Sequence, residues 1–263
     1  MNKQEIFSQI NKKKTYLCIG LDPDLNKIPK QFNTNLDGLL DFHKQIIDST
    51  QDLCIAYKPN LAFYETFGKE GWQLLEETLK YIPKEHFIIA DAKRGDIGNT
   101  SKMYANSFFS PELPFRVDAI TVNPYMGSDS VSPFLCFPDK WAIILALTSN
   151  LGSNNFQKLR VDSGRFLYEE VIIQSQNWGT SEQIMYVVGA TEPEALASIR
   201  KLIPNHFLLI PGVGEQGGDL KKISLAGLNS FGGILVNVSR SILYAPDPRK
   251  TSLLIQQEMK TYL

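Results

Sequence analysis

Asp91, Lys93, Arg94 and Asp96 crowd four charges into six positions of the stretch IIADAKRGDIGNT (88–100), directly after an apolar run that reads as a buried strand. On an extended segment residues two apart leave on the same face, so Asp91 and Lys93 point together, with Arg94 facing away. Asp96 follows a turn loosened by Gly95, from which it can fold back onto the pair or reach a neighbouring subunit. A lysine held beside a carboxylate is suited to moving a proton to or from carbon. Lys58 is of the same kind: it follows the apolar CIAY, precedes Pro59, and enters a partly buried mouth where an unpaired ammonium is costly. It therefore calls for an acid nearby.

A second group of residues lies near the end of the chain. PGVGEQGGD (211–219) brings four glycines after Pro211, and VNVSRSI (236–242) brings Arg240. Glycines let backbone N–H groups approach phosphate oxygens closely, and an arginine can clamp the same group through two parallel hydrogen bonds. The sequence has three histidines, no C-x-x-C pair, no metal-ligand helix motif and no dinucleotide fingerprint, so the expected chemistry runs on Lys and Asp with no metal and no cofactor.

The elements that position these residues are legible as eight short apolar runs: 16–23, 54–60, 86–93, 118–125, 141–149, 184–191, 206–214 and 232–240. Helix-like segments with apolar residues three and four apart separate them, as in 37–50, 71–82 and 193–203, and a closing helix is expected over 251–263. Strand and helix in alternation mean parallel βαβ crossovers. An open doubly wound sheet uses the same alternation, but eight strands in 263 residues favour one α/β domain over 1–263, a (β/α)8 TIM barrel. In such a barrel catalytic groups sit at the C-terminal ends of strands, where this sequence places Asp22, Lys58, Asp91 with Lys93, Asn123, Thr148 with Ser149, Thr191, and Ser239 with Arg240. The loops after strands seven and eight are the usual phosphate site. The segment 148–166, rich in Ser, Asn and Gly, is long enough to be a lid or binding loop.

Hydrophobic content of 43%, charge of 21% and a formal net charge of −1 give no reason to expect nucleic acid or an anionic membrane as partner. Cys18, Cys54 and Cys136 are odd in number and set in apolar surroundings, and are expected to be reduced core residues. The N-terminal MNKQEIFSQINKKK is too polar for a signal peptide and no apolar run approaches a membrane span, so the expected address is cytoplasmic.

DAKRGDIGNT, together with AYKPN, TVNPYMGSDS, PGVGEQGGD and NVSRSI, resembles the orotidine 5′-phosphate decarboxylases, in particular the branch carrying Asp-Ala-Lys-Arg-Gly-Asp-Ile. The resemblance runs from Asp22 to Arg240. It implies cofactor-free loss of CO₂ from orotidine 5′-phosphate to give UMP, the last step of pyrimidine nucleotide synthesis. Lys58, Asp91, Lys93 and Asp96 would form an alternating charged array with Lys93 as proton donor, and Asp96 and Thr100 would be donated across a homodimer interface. Asp22 would bind ribose hydroxyls with Lys58, Ser149 the pyrimidine, and Gln216 and Arg240 the phosphate, with Pro211 a further substrate-binding position. This sequence departs from the family pattern at Leu151, where a proline is expected, and at Ser239, where glycine is common. Two rivals remain: a metal-assisted enediolate enzyme of the same barrel group, and a catalytically silent phosphate-binding protein.

Overall fold

The computed structural model describes residues 1–213 and 217–263. Eight parallel strands close into one barrel in the order β1 to β8: β1 Leu17–Leu21, β2 Ala56–Pro59, β3 Phe87–Arg94, β4 Ala119–Val122, β5 Trp141–Leu147, β6 Ile184–Val188, β7 Phe207–Pro211 and β8 Ile234–Val238. Closure is made by β8 pairing with β1, with Cys18 opposite Asn237. Seven strands lie inside their apolar runs, and β3 overruns its run by one residue, Arg94. Such near-continuous hydrophobicity is what strands covered on both faces require.

The helices are α1 Lys3–Lys13, α2 Leu36–Thr50, α3 Leu61–Glu65, α4 Gly68–Tyr81, α5 Gly98–Phe109, α6 Ser128–Val131, α7 Leu167–Ser175, α8 Pro193–Leu202, α9 Leu220–Gly227, α10 Arg240–Leu243 and α11 Pro248–Lys260. The α2 helix shows why they form where they do. The Asn35 side chain accepts the Gly38 N–H at its start, and Leu39, Phe42, Ile46 and Ile47 bury one face on the barrel. No helix among the described residues is long and apolar enough to cross a membrane.

The N-terminal end of the barrel is sealed. Phe87, Trp141 and Phe207, from alternate strands, meet edge to face with ring centroids 6.4 Å apart in each successive pair. Beneath them α1 buries Ile6 and Ile10, and Lys13 donates to the carbonyls of Gln51 and Cys54. The opposite end stays open.

Two expectations need correction. Cys18 and Cys54 are buried, but Cys136 is exposed. It ends a 3₁₀ turn, Ser132–Cys136, in which Phe134 takes the core position. The segment 148–166 is also less loose than its composition suggests: it holds a 3₁₀ turn over Leu151–Asn155, and Arg160 bridges to Phe166 while stacking on its ring at 4.4 Å. The Gln157 side chain accepts the Thr148 N–H at 2.7 Å and ties the segment to the end of β5. Its apolar side chains Leu151 and Phe156 nevertheless face solvent, 89% and 60% exposed.

Candidate active site

The open end of the barrel holds a cavity of about 300 Å³ lined by residues of β2, β3, β5, β6, β7 and β8 and by Asp22, which follows β1. At one side Asp91 is gripped from two directions. Lys58 Nζ donates to its Oδ2 at 2.7 Å and Lys93 Nζ to its Oδ1 at 2.6 Å. A third bond comes from the Thr121 hydroxyl on β4, at 3.0 Å to Oδ1. Lys58 is only 4% exposed, which is tolerable because the acid that its burial calls for is in contact.

The electrostatics follow from that geometry. Burial would push the Asp91 carboxyl up, but the charges of Lys58 and Lys93 outweigh it and hold the group well below the usual carboxylate range. Burial would likewise favour neutral Lys58, yet Asp91 and Asp22 reverse the effect and raise its pKa above the ordinary lysine value. Lys58, Asp91 and Thr121 therefore sit in one buried hydrogen-bonded network, while the Lys93 side chain, 51% exposed, reaches into the open cavity.

Asp91 and Lys93 do share a face, but not by a regular pleat. Lys93 has φ 47°, in the left-handed region that glycine favours, and the β3–β4 register shifts between Ala90 and Arg94. A lysine in that conformation costs roughly 1–2 kcal/mol of backbone strain. Arg94 turns outward as expected: its guanidinium pairs with Glu65 and lies 5.5 Å from the centre of the Tyr104 ring.

On the far side of the cavity Arg240 lies beside Pro211, Gly212 and Val213, with Ser149 on the adjoining wall. Gly189 makes room for that wall, since a Cβ there would stand 2.8 Å from the Ser149 nitrogen. Asp22, between the two charged ends, accepts a hydrogen bond from Ser239 at 2.6 Å. Gly20 permits this contact: a Cβ on it would collide with the Ser239 side chain at 2.7 Å. Ser239 thus has a seat and a partner.

Asp96 and Thr100 are not brought to this cavity. Asp96 accepts the backbone N–H of Ile97, and Thr100 is exposed beside Met103 and Tyr104 on the outer groove between α4 and α5. Gln216 lies outside the described residues. Among strand-end polar residues, Asn123 is a cap, accepting the Tyr125 N–H of the turn Pro124–Met126, and Thr191 is exposed. Sequence reading missed Asn60 and Asn237, which line the cavity, and Thr121. Asn237 and Thr121 stand inside VNV and ITV as single polar residues at inward positions, a signal that a search limited to strand ends passes over. Among the described residues no cluster of three or more His, Cys, Asp or Glu side chains is arranged to hold a metal ion.

Comparison with known proteins matches residues 15–255 to the model of the orotidine 5′-phosphate decarboxylase / HUMPS family. The chain belongs to that family. It is 51% identical over 273 residues to the orotidine 5′-phosphate decarboxylase of Parabacteroides distasonis, covering 100% of this chain and 96% of the relative. The corresponding protein of Bacteroides fragilis is 54% identical over 247 residues, 93% of this chain and 89% of the relative. Among solved structures, Leishmania donovani OMP decarboxylase superposes with a TM-score of 0.88 at 39% identity, covering 100% of this chain and 99% of that one. The family match spans both halves of the cavity, from Asp22, which follows β1, to Arg240, the first residue of α10.

Proposed function

We propose that this protein converts orotidine 5′-phosphate to UMP and CO₂, with Lys93 as the proton donor. The observation that carries the reading is the Lys58–Asp91–Lys93 chain of contacts facing Arg240 across one cavity, in a chain of the orotidine 5′-phosphate decarboxylase / HUMPS family. Loss of CO₂ breaks the bond between the carboxylate and C6 of the pyrimidine and leaves the electron pair on C6 in an sp² orbital that the ring π system does not delocalise. A preorganised ammonium beside that carbon stabilises the developing charge and then delivers a proton to it. Lys93 is the half-exposed cation at the cavity wall, held by a carboxylate that stays ionised at neutral pH. Lys58 is buried and serves to fix Asp91 and reach the ribose together with Asp22. Arg240 with Gln216 takes the phosphate, Ser149 the pyrimidine, and Pro211 is a further substrate-binding position. Phosphate binding remote from C6 supplies energy that orients the reacting end.

Asp96 and Thr100 complete the array from a second copy of the chain in this reading. Their place outside their own cavity supports it, as does the apolar face around them, where Ile97 and Met103 are 56% and 50% exposed. A cytoplasmic address belongs to the same reading, consistent with three unpaired cysteines. The metal-assisted rival is disfavoured because Lys58, a cation, occupies the place next to Asp91 where a metal would want an acid. Incubation of purified protein with orotidine 5′-phosphate in EDTA tests the function: UMP formation followed by ultraviolet absorbance is expected. Well-folded protein that forms no UMP refutes it.

A further inference from the structure

The structure assigns to Thr121 the role of positioning residue for the proton donor, an assignment that rests on Lys93 acting as proposed above. Lys93 is held in a left-handed backbone conformation where a lysine does not settle by itself, so something must hold it there. The holder is visible. The Lys93 backbone N–H donates to Thr121 Oγ1 at 2.9 Å, and that same hydroxyl donates to Asp91 Oδ1 at 3.0 Å. The direction of both bonds is fixed, because a backbone N–H can only donate and the ionised Asp91 carboxylate can only accept, so the hydroxyl takes the first and gives its proton to the second.

One side chain thereby sets two things at once. It pins the kinked backbone from which Lys93 departs, and it fixes the rotation of the carboxylate that receives Lys93 Nζ at 2.6 Å. Thr121 is buried, 1% exposed, on the short strand β4, opposite the point where the β3–β4 register shifts. That shift leaves the Lys93 N–H without its regular ladder acceptor, and the threonine hydroxyl supplies one. A branched side chain has a restricted χ1, so the hydroxyl is presented in a fixed direction. Valine has the same shape without either bond. With valine in place, the Lys93 backbone is released toward ordinary extended geometry and its ammonium moves from the position beside C6.

The test compares wild type, Thr121→Val and Thr121→Ser in steady-state conversion of orotidine 5′-phosphate, with UMP affinity measured by calorimetry. Misplacing a reacting group by about 1 Å costs roughly 10²-fold in rate. The expected result is that Thr121→Val lowers kcat by about that factor with KM and UMP affinity near wild type, and Thr121→Ser restores most of the rate. Thr121→Val turning over like wild type, or losing UMP affinity in step with kcat, overturns the assignment, as does a serine variant no better than valine. Should Thr121→Val fail to accumulate as folded protein, Thr121→Ala is read by the same criteria. Wild-type protein that forms no UMP overturns the function itself; a working wild type beside an equally active valine variant overturns only the role of Thr121.

Discussion

Replacing Asp91 by asparagine keeps the shape of the side chain and removes one charge from between two lysines. Lys58, 4% exposed, would then have Asp22 as its remaining acid and a second cation, Lys93, close by. Breaking a buried pair by removing one partner costs about 3–5 kcal/mol, because the other charge is left in a poor dielectric. We expect Asp91→Asn to be destabilised by that amount at pH 7 in guanidinium unfolding. The sign of the pH dependence is a further check. In wild type the Lys58 pKa is raised, so its contribution is fully present below the unfolded value near 10.4 and is lost as pH rises through the folded value. In the variant burial dominates and depresses the Lys58 pKa, so folding improves as pH rises toward the unfolded value. The gap between the two proteins should therefore narrow from pH 7 to pH 10. Lys58→Met combined with Asp91→Asn should regain stability, since an apolar replacement of a buried pair is often neutral or better. A deficit for Asp91→Asn of less than about 1 kcal/mol, the value of an exposed ion pair, would refute the reasoning.

Acid should unfold the protein earlier than its carboxylates require. Burial holds His43 down to about 3 and His206 down to about 4, so each favours folding above pH 6.5 and loses that contribution as pH falls toward its folded value. At pH 5 this amounts to about 2 kcal/mol per histidine relative to pH 8, and a flat stability profile between those pH values would contradict it. Arg240→Ala should weaken UMP binding more than it lowers kcat at saturation, and a variant with unchanged UMP affinity would remove Arg240 from the phosphate site. Mixing inactive Lys93→Ala and Asp96→Ala proteins should restore activity through hybrid sites; failure with subunit exchange confirmed would place the site within one chain.

The strands were legible because a barrel strand is buried on both faces, and each falls on an apolar run of the sequence, with only Arg94 of β3 beyond its run. Lys58 could be paired with an acid by burial cost alone, and Asp91 is that acid. The meeting of Asp91 and Lys93 was legible for a partly mistaken reason: alternation assumes a regular strand, whereas a left-handed kink and a hydroxyl from β4 make the contact. No local pattern announces such a kink at a lysine. Cys136 was misplaced because its neighbours are apolar, while a 3₁₀ turn points Phe134 inward and leaves the thiol outside. Ser239 looked like a disturbance of the loop until Gly20, 219 positions earlier in the chain, proved to make space for it. Contacts between distant strands of a closed barrel are invisible to spacing rules.

The most direct test of the central claim is the rate of UMP formation by Lys93→Ala beside wild type, in EDTA and at saturating orotidine 5′-phosphate. A proton donor that also stabilises the carbanion predicts a loss of roughly 10³-fold or more with the protein still folded and still binding UMP. A variant within tenfold of wild type would show that the proton reaches C6 from another group, and the account of this site would be wrong.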